Sequence, residues 1–91
     1  MTPRVGSWVW VPCEVRPGPF RNERMVRVRG AGAEWLGFVS TALLREPIEK
    51  GETSVKALVV DSKGERILAQ ILGAPVMASL VEEEAAKVQP A

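Results

Sequence analysis

The sequence predicts a mainly β fold, a small, partly open barrel of about five strands with a short C-terminal helix. Hydrophobic residues alternate with a period of two in successive short runs, Gly- and Pro-rich clusters separate those runs, and helical spacing appears only from Ser79 onward. With 91 residues the chain suits a single domain. We expect residues 1–78 to form the barrel and residues 79–91 a helix and tail of the same domain.

The first run, "VGSWVWVPCEV", places Trp8 and Trp10 on one face and Val9, Val11, Cys13 and Val15 on the other. Pro12 has no N–H to give a neighbour, which predicts an edge or a bulge at that point. "RPGPFRNE" reads as a loop, "RMVRVR" as a second strand with Val26 and Val28 inward, and "GAGA" as a turn. "EWLGFVS" is apolar on both sides, with Trp35 and Val39 opposed to Leu36 and Phe38, and predicts a strand covered on both faces. "TALLREP" suggests one helical turn stopped before Pro47, and "IEKGET" a polar connector. "SVKALVVDSKGERILAQILG" predicts a hairpin about the four-residue turn "DSKG". At the end, Ser79 with Glu82 resembles a capping box, and Val81, Ala85 and Val88 recur at helical spacing.

Composition excludes several classes. Apolar residues make up 46% and charged residues 25%, values of an ordinary globular chain rather than a disordered or fibrous one. Every apolar stretch falls short of the run of about 20 residues needed to cross a bilayer as a helix, and "MTPRVGSW" does not read as a secretory leader. A cytoplasmic protein without a membrane segment is the expectation. There is one cysteine and no histidine, so neither an internal disulfide nor a structural zinc site is expected, and no cofactor motif is present. The phosphate-loop alternative for "GAG" fails because no helix pattern follows it.

Catalysis has no clear seat. Without histidine the chain lacks the side chain that ordinarily titrates near neutrality, its carboxylates are scattered, and Cys13 has no identifiable base beside it. We therefore expect no enzyme.

Charge is the most informative feature. "VRPGPFRNERMVRVR" sets five arginines against one acid, although the whole chain carries only +1. Residues 1–45 sum to +4 and residues 46–91 to −3, an asymmetry that marks a partner surface or an attraction between the two halves. If the first two strands pair, alternation puts Trp8, Trp10, Arg27 and Arg29 on one face, with Arg16, Phe20, Arg21 and Arg24 at its loop end. The aromatics would anchor a ligand and the arginines would meet acidic or phosphate groups. Solvated arginines guarding a sheet edge, and tryptophans buried in the core, are the competing reading.

"VRPGP" (15–19) resembles the "VRxGP" opening of bacterial SH3-type domains, and "GFVSTALL" (37–44) resembles their "GWVxxxYL" ending. The resemblance spans about a third of the chain and implies an SH3-like barrel whose closing strand leads into a single helical turn. Members of that family commonly bind peptides. The expected function is thus a non-catalytic binding or adaptor module for a protein or peptide, including a second copy of itself. RNA or single-stranded DNA binding through the Trp/Arg face is the alternative, weakened by the near-neutral total charge.

Overall fold

The computed structural model describes residues 2–72 and 80–91. Its strands are β1 (Trp8–Pro17), β2 (Glu23–Val28), β3 (Trp35–Ser40), β4 (Glu52–Lys63), β5 (Arg66–Ile71), β6 (Leu80–Glu84) and β7 (Gln89–Pro90). They form one antiparallel sheet in the order β3-β2-β1-β4-β5-β6, with β7 also on β1, and the sheet curls into a nearly closed barrel.

The inward residues follow from alternation. Val9, Val11, Cys13 and Val15 of β1 are buried with Val26, Val28, Trp35, Val39, Val55, Ala57, Val59, Ile67, Ala69 and Ile71. β-branched side chains dominate this core, as suits a pleated surface packed against itself. Two neighbours embrace β1 for most of its length: β4 along Trp8–Glu14 on one side, and β7 then β2 on the other. The Val15 amide donates to Gly51 on the β4 side, while the Trp8 carbonyl accepts from Ala91 on the β7 side. Even-numbered backbone groups of β1 therefore point toward β7 and β2. Pairing with β7 ends at Trp10 and pairing with β2 begins at Glu14, so Pro12 fills the gap between them. The expected edge at Pro12 is local: the residue without an N–H stands where an N–H would have no strand to meet.

The β4–β5 hairpin turns later than "DSKG" implied. Lys63 pairs with Arg66, and Gly64, with φ +60°, opens a two-residue turn. A bulge between Val59 and Asp61 shifts the register, which lets the polar Asp61–Lys63 segment continue as strand. The supposed connector around Lys50 is also a tight turn, since Glu49 and Glu52 bridge. The helical turn after β3 is a 3-10 turn at Thr41–Leu43, capped by the Ser40 hydroxyl, which accepts from the Ala42 amide at 3.2 Å.

The C-terminal helix is not formed. Leu80–Glu84 is a strand on β5, with Arg66 opposite Glu84 and Gln70 opposite Leu80, followed by a 3-10 turn at Ala85–Lys87. The residues expected to face inward do so, because Val81 and Val88 are buried and Ala85 packs against the core. "LVEEE" also fits a period of two, and the open edge of β5 offers a row of hydrogen bonds that outweighs a weak local helix preference. The capping residue Ser79, and with it the 78/79 boundary, lies outside the described residues. Among the described residues the strand count is seven, where about five were expected. Closure is completed where the Ala31 amide, in the β2–β3 turn, donates to the Glu82 carbonyl at 2.8 Å.

β3 is not covered on both faces. Trp35 and Val39 are buried, whereas Leu36 is 55% and Phe38 39% exposed. Among the described residues no helix is long and apolar enough to cross a membrane.

Candidate functional site

The first two strands do fold back on each other, with Glu14 opposite Arg27 and Arg16 opposite Met25. β2 then carries the rows onto β3, where Met25 meets Phe38 and Arg27 meets Leu36. Two cross-strand rows result on the outer face: Arg16–Met25–Phe38 and Glu14–Arg27–Leu36. A shallow groove of about 240 Å³ runs between them, lined by Glu14, Arg16, Met25, Arg27 and Leu36.

Trp8 and Trp10 share this outer face but lie at its other end, opposite Leu58 and Lys56 of β4. Each carries a cation of its own chain. Lys Nζ of residue 56 sits 5.4 Å from the Trp8 ring and the Arg45 guanidinium 5.8 Å from the Trp10 ring. Arg45 also donates to Gln89 Oε1 at 2.6 Å, tying β7 to the barrel. Lys56 and Arg45 thus supply the cations over the indoles, whereas Arg27 and Arg29, expected on the tryptophan face, pair with Glu14. Trp8 and Trp10 are each engaged by their own chain, with Trp8 37% exposed and Trp10 half-buried.

The arginines of the predicted cluster divide by partner. Arg29 Nη2 donates to Glu14 Oε1 at 3.0 Å, and Arg27 lies 3.7 Å from Glu14 Oε2 and 3.9 Å from Glu34. Arg24 donates to the carbonyls of Arg21 and Glu23, which folds it back onto its own loop. Arg16 and Arg21 are exposed, and no ion pair involves either among the described residues. Phe20, at the loop tip, is 68% exposed. The structure thus groups Arg16, Arg27 and Arg29 with apolar Met25, Leu36 and Phe38, and leaves Phe20, Arg21 and Arg24 on the adjoining loop.

A second cleft, of about 530 Å³, opens beside the Pro12 gap. Arg27, Arg29, Lys87, Cys13 and Glu83 line it. Glu83 is 4% exposed and accepts from the Glu84 amide at 2.8 Å. Burial pushes the Cys13 thiol up to about 12, which keeps it protonated and poorly nucleophilic at neutral pH. Among the described residues no three His, Cys, Asp or Glu side chains converge to hold a metal ion.

Sequence reasoning left Leu36 and Phe38 out of the site residues, although the apolar run "EWLGFV" also allowed a patch covered by another subunit, because an apolar strand reads as doubly buried unless its neighbours are known. It also missed Glu14 as the acid on the arginines, and Arg45 and Lys56, which lie far from the tryptophans in sequence. No family model matches the chain, and no curated protein or solved structure is significantly similar to it.

Proposed function

We propose that the protein is a non-catalytic binding module that recognises a protein or peptide through the outer face of β1–β2–β3. One observation carries this reading: exposed Leu36 lies opposite Arg27, and exposed Phe38 lies in the row of Met25 and Arg16, so apolar anchor and charge share one face. Exposed apolar side chains grouped with arginine are the composition of protein interfaces. The protonated, buried thiol of Cys13 and the absence of histidine support a binding role over chemistry. An SH3-type assignment is the finer reading. It is supported by "VRPGP", which ends β1 and begins the following loop, and by "GFVSTALL", which runs from β3 into the 3-10 turn.

A Leu36→Ser/Phe38→Ser variant tests the reading. Both residues are exposed, so the variant keeps the fold, checked by its thermal melting. A partner retained from lysate by the wild-type chain is lost by the variant. Identical sets of retained proteins from the two baits would refute this surface as the binding site.

Single-stranded nucleic acid is the second reading, favoured by exposed Phe20 between the loop arginines. It predicts retention on a polyanion column that weakens steeply with salt. Elution at low ionic strength excludes it.

A further inference from the structure

Arg27 of the outer groove, and Arg29 next to it on the wall of the Pro12 cleft, already hold a carboxylate. Glu14 accepts from Arg29 at 3.0 Å and lies 3.7 Å from Arg27, and it forms one wall of the groove that also contains Met25 and Leu36. These are solvent-exposed pairs, with 36% of the Glu14 side chain and 44% and 67% of the two arginines accessible. Such pairs contribute little to stability, so an incoming carboxylate can replace Glu14 at small cost. Arginine suits the exchange, since its planar fork accommodates a carboxylate in two parallel hydrogen bonds.

The spacing of the face specifies the rest of the ligand. Glu14 and Arg16 are two positions apart on β1, a separation of about 7 Å along a strand. An extended peptide with an acid and a large apolar residue two positions apart presents both on one side at that same spacing. Its carboxylate then reaches Arg27 and Arg29 while the apolar side chain enters among Met25, Leu36 and Phe38.

We propose that this groove takes an extended acidic segment of another protein, whose carboxylate displaces Glu14 from Arg27 and Arg29 and whose neighbouring apolar side chain packs on Met25, Leu36 and Phe38. Glu14 is in this view an internal occupant of the site, holding the arginines in place and competing with the ligand. The inference rests on the binding reading above and adds the chemistry of the partner. A second copy of the chain is the weaker occupant. Its β6 does present Leu80, Glu82 and Glu84 outward, the required apolar and acidic pattern, but Glu82 pairs with Arg66 at 2.9 Å and Glu84 with Lys87 at 3.4 Å, so a second set of ion pairs would have to be exchanged besides that of Glu14, which an unpaired acidic segment does not require.

The test is a titration of the isotope-labelled protein, followed through its amide resonances, with the blocked hexapeptide Gly-Glu-Ser-Leu-Ser-Gly, whose acid and leucine lie two positions apart. The controls are the same peptide with Gln for Glu, and a twelve-residue oligouridylate. The Glu peptide is expected to shift amides of residues 14–16, 25–29 and 36–38, and to bind more tightly than the Gln peptide. Glu14→Gln is expected to tighten the Glu peptide about three- to fivefold by removing the competitor, and Arg27→Gln to weaken it by a similar factor. Melting temperatures of both variants check that the fold is intact. Unchanged or weaker binding by Glu14→Gln overturns the proposal, as does equal binding of the Gln peptide, tighter binding of the oligouridylate, or shifts that arise from self-association on concentration. Equal binding of the Gln peptide on residues 36–38 would leave the binding reading standing, whereas loss of that reading shows separately in the Leu36→Ser/Phe38→Ser comparison.

Discussion

Substituting Gly30 by alanine probes the closure of the barrel and the strand character of residues 80–84 together. Gly30 has φ +60°, and a Cβ built on it would lie 2.5 Å from the Glu82 carbonyl oxygen, closer than any real Cβ contact. That oxygen accepts from Ala31, so backbone must move and the closing hydrogen bond must break or stretch. The left-handed conformation costs a residue with a Cβ about 1–2 kcal/mol, and the lost hydrogen bond adds about 1 kcal/mol, giving a total of about 2–3 kcal/mol. Gly64 isolates the first contribution, because it has the same φ of +60° with nothing within 4 Å of its built Cβ. Gly64→Ala should therefore lose about 1–2 kcal/mol. Gly32→Ala, whose Cβ would make ordinary contact at 3.7 Å from Glu82 Oε2, should change little. Urea unfolding followed by tryptophan fluorescence reports all three, since Trp35 is buried in the core. Equal losses from Gly30→Ala and Gly64→Ala would refute the close approach of β6 to the β2–β3 turn. A helix over this segment would have produced that outcome.

Two further predictions concern the interior. Cys13 keeps its proton in the folded state to about pH 12 while the unfolded chain releases it near 9, so the folded protein binds more protons between those values. Stability contributed by the thiol is complete below pH 9 and is lost as pH rises toward 12, at no more than about 1.4 kcal/mol per pH unit. Cys13→Ala should flatten the alkaline limb of the stability profile, and an unchanged slope between pH 9 and 10.5 would contradict the assignment. Trp35 is buried with no hydrogen-bond partner for its Nε1 among the described residues. Trp35→Phe removes that unsatisfied donor, a group that costs about 1–3 kcal/mol when buried unpaired, and should lose less than about 1 kcal/mol overall against about 3–5 kcal/mol for Trp35→Ala. A loss above about 2 kcal/mol for Trp35→Phe would mean that the indole N–H is bonded.

What could be read from the sequence was what alternation alone determines. The facing of Val9, Val11, Cys13 and Val15 against Trp8 and Trp10 emerged correctly because β1 is amphipathic along its whole length. The pairing of β1 with β2 also followed, since a short Gly- and Pro-containing loop joins them. β6 was misread because "LVEEEAAKV" satisfies a helical and a two-residue pattern at once, and only the open edge of β5 decides between them. The site was half legible: the arginines were located, but their apolar neighbours Leu36 and Phe38 sat in a run whose exposure depends on what lies beyond β3. Partners remote in sequence, such as Arg45 over Trp10, leave no local trace.

The break at Pro12 also bears on the order in which the barrel comes apart. β7 holds β1 through only two residue pairs, Val9 with Pro90 and Trp10 with Gln89, and these join segments from opposite ends of the chain. Closing so long a loop is entropically costly and two pairs return little, so this clasp should open at the lowest free energy of any part of the sheet. Hydrogen exchange would then find the Trp10 amide, which has β7 as its partner, far less protected than the neighbouring Val11 amide, which faces β4. The same strand would be labile along one margin and fixed along the other.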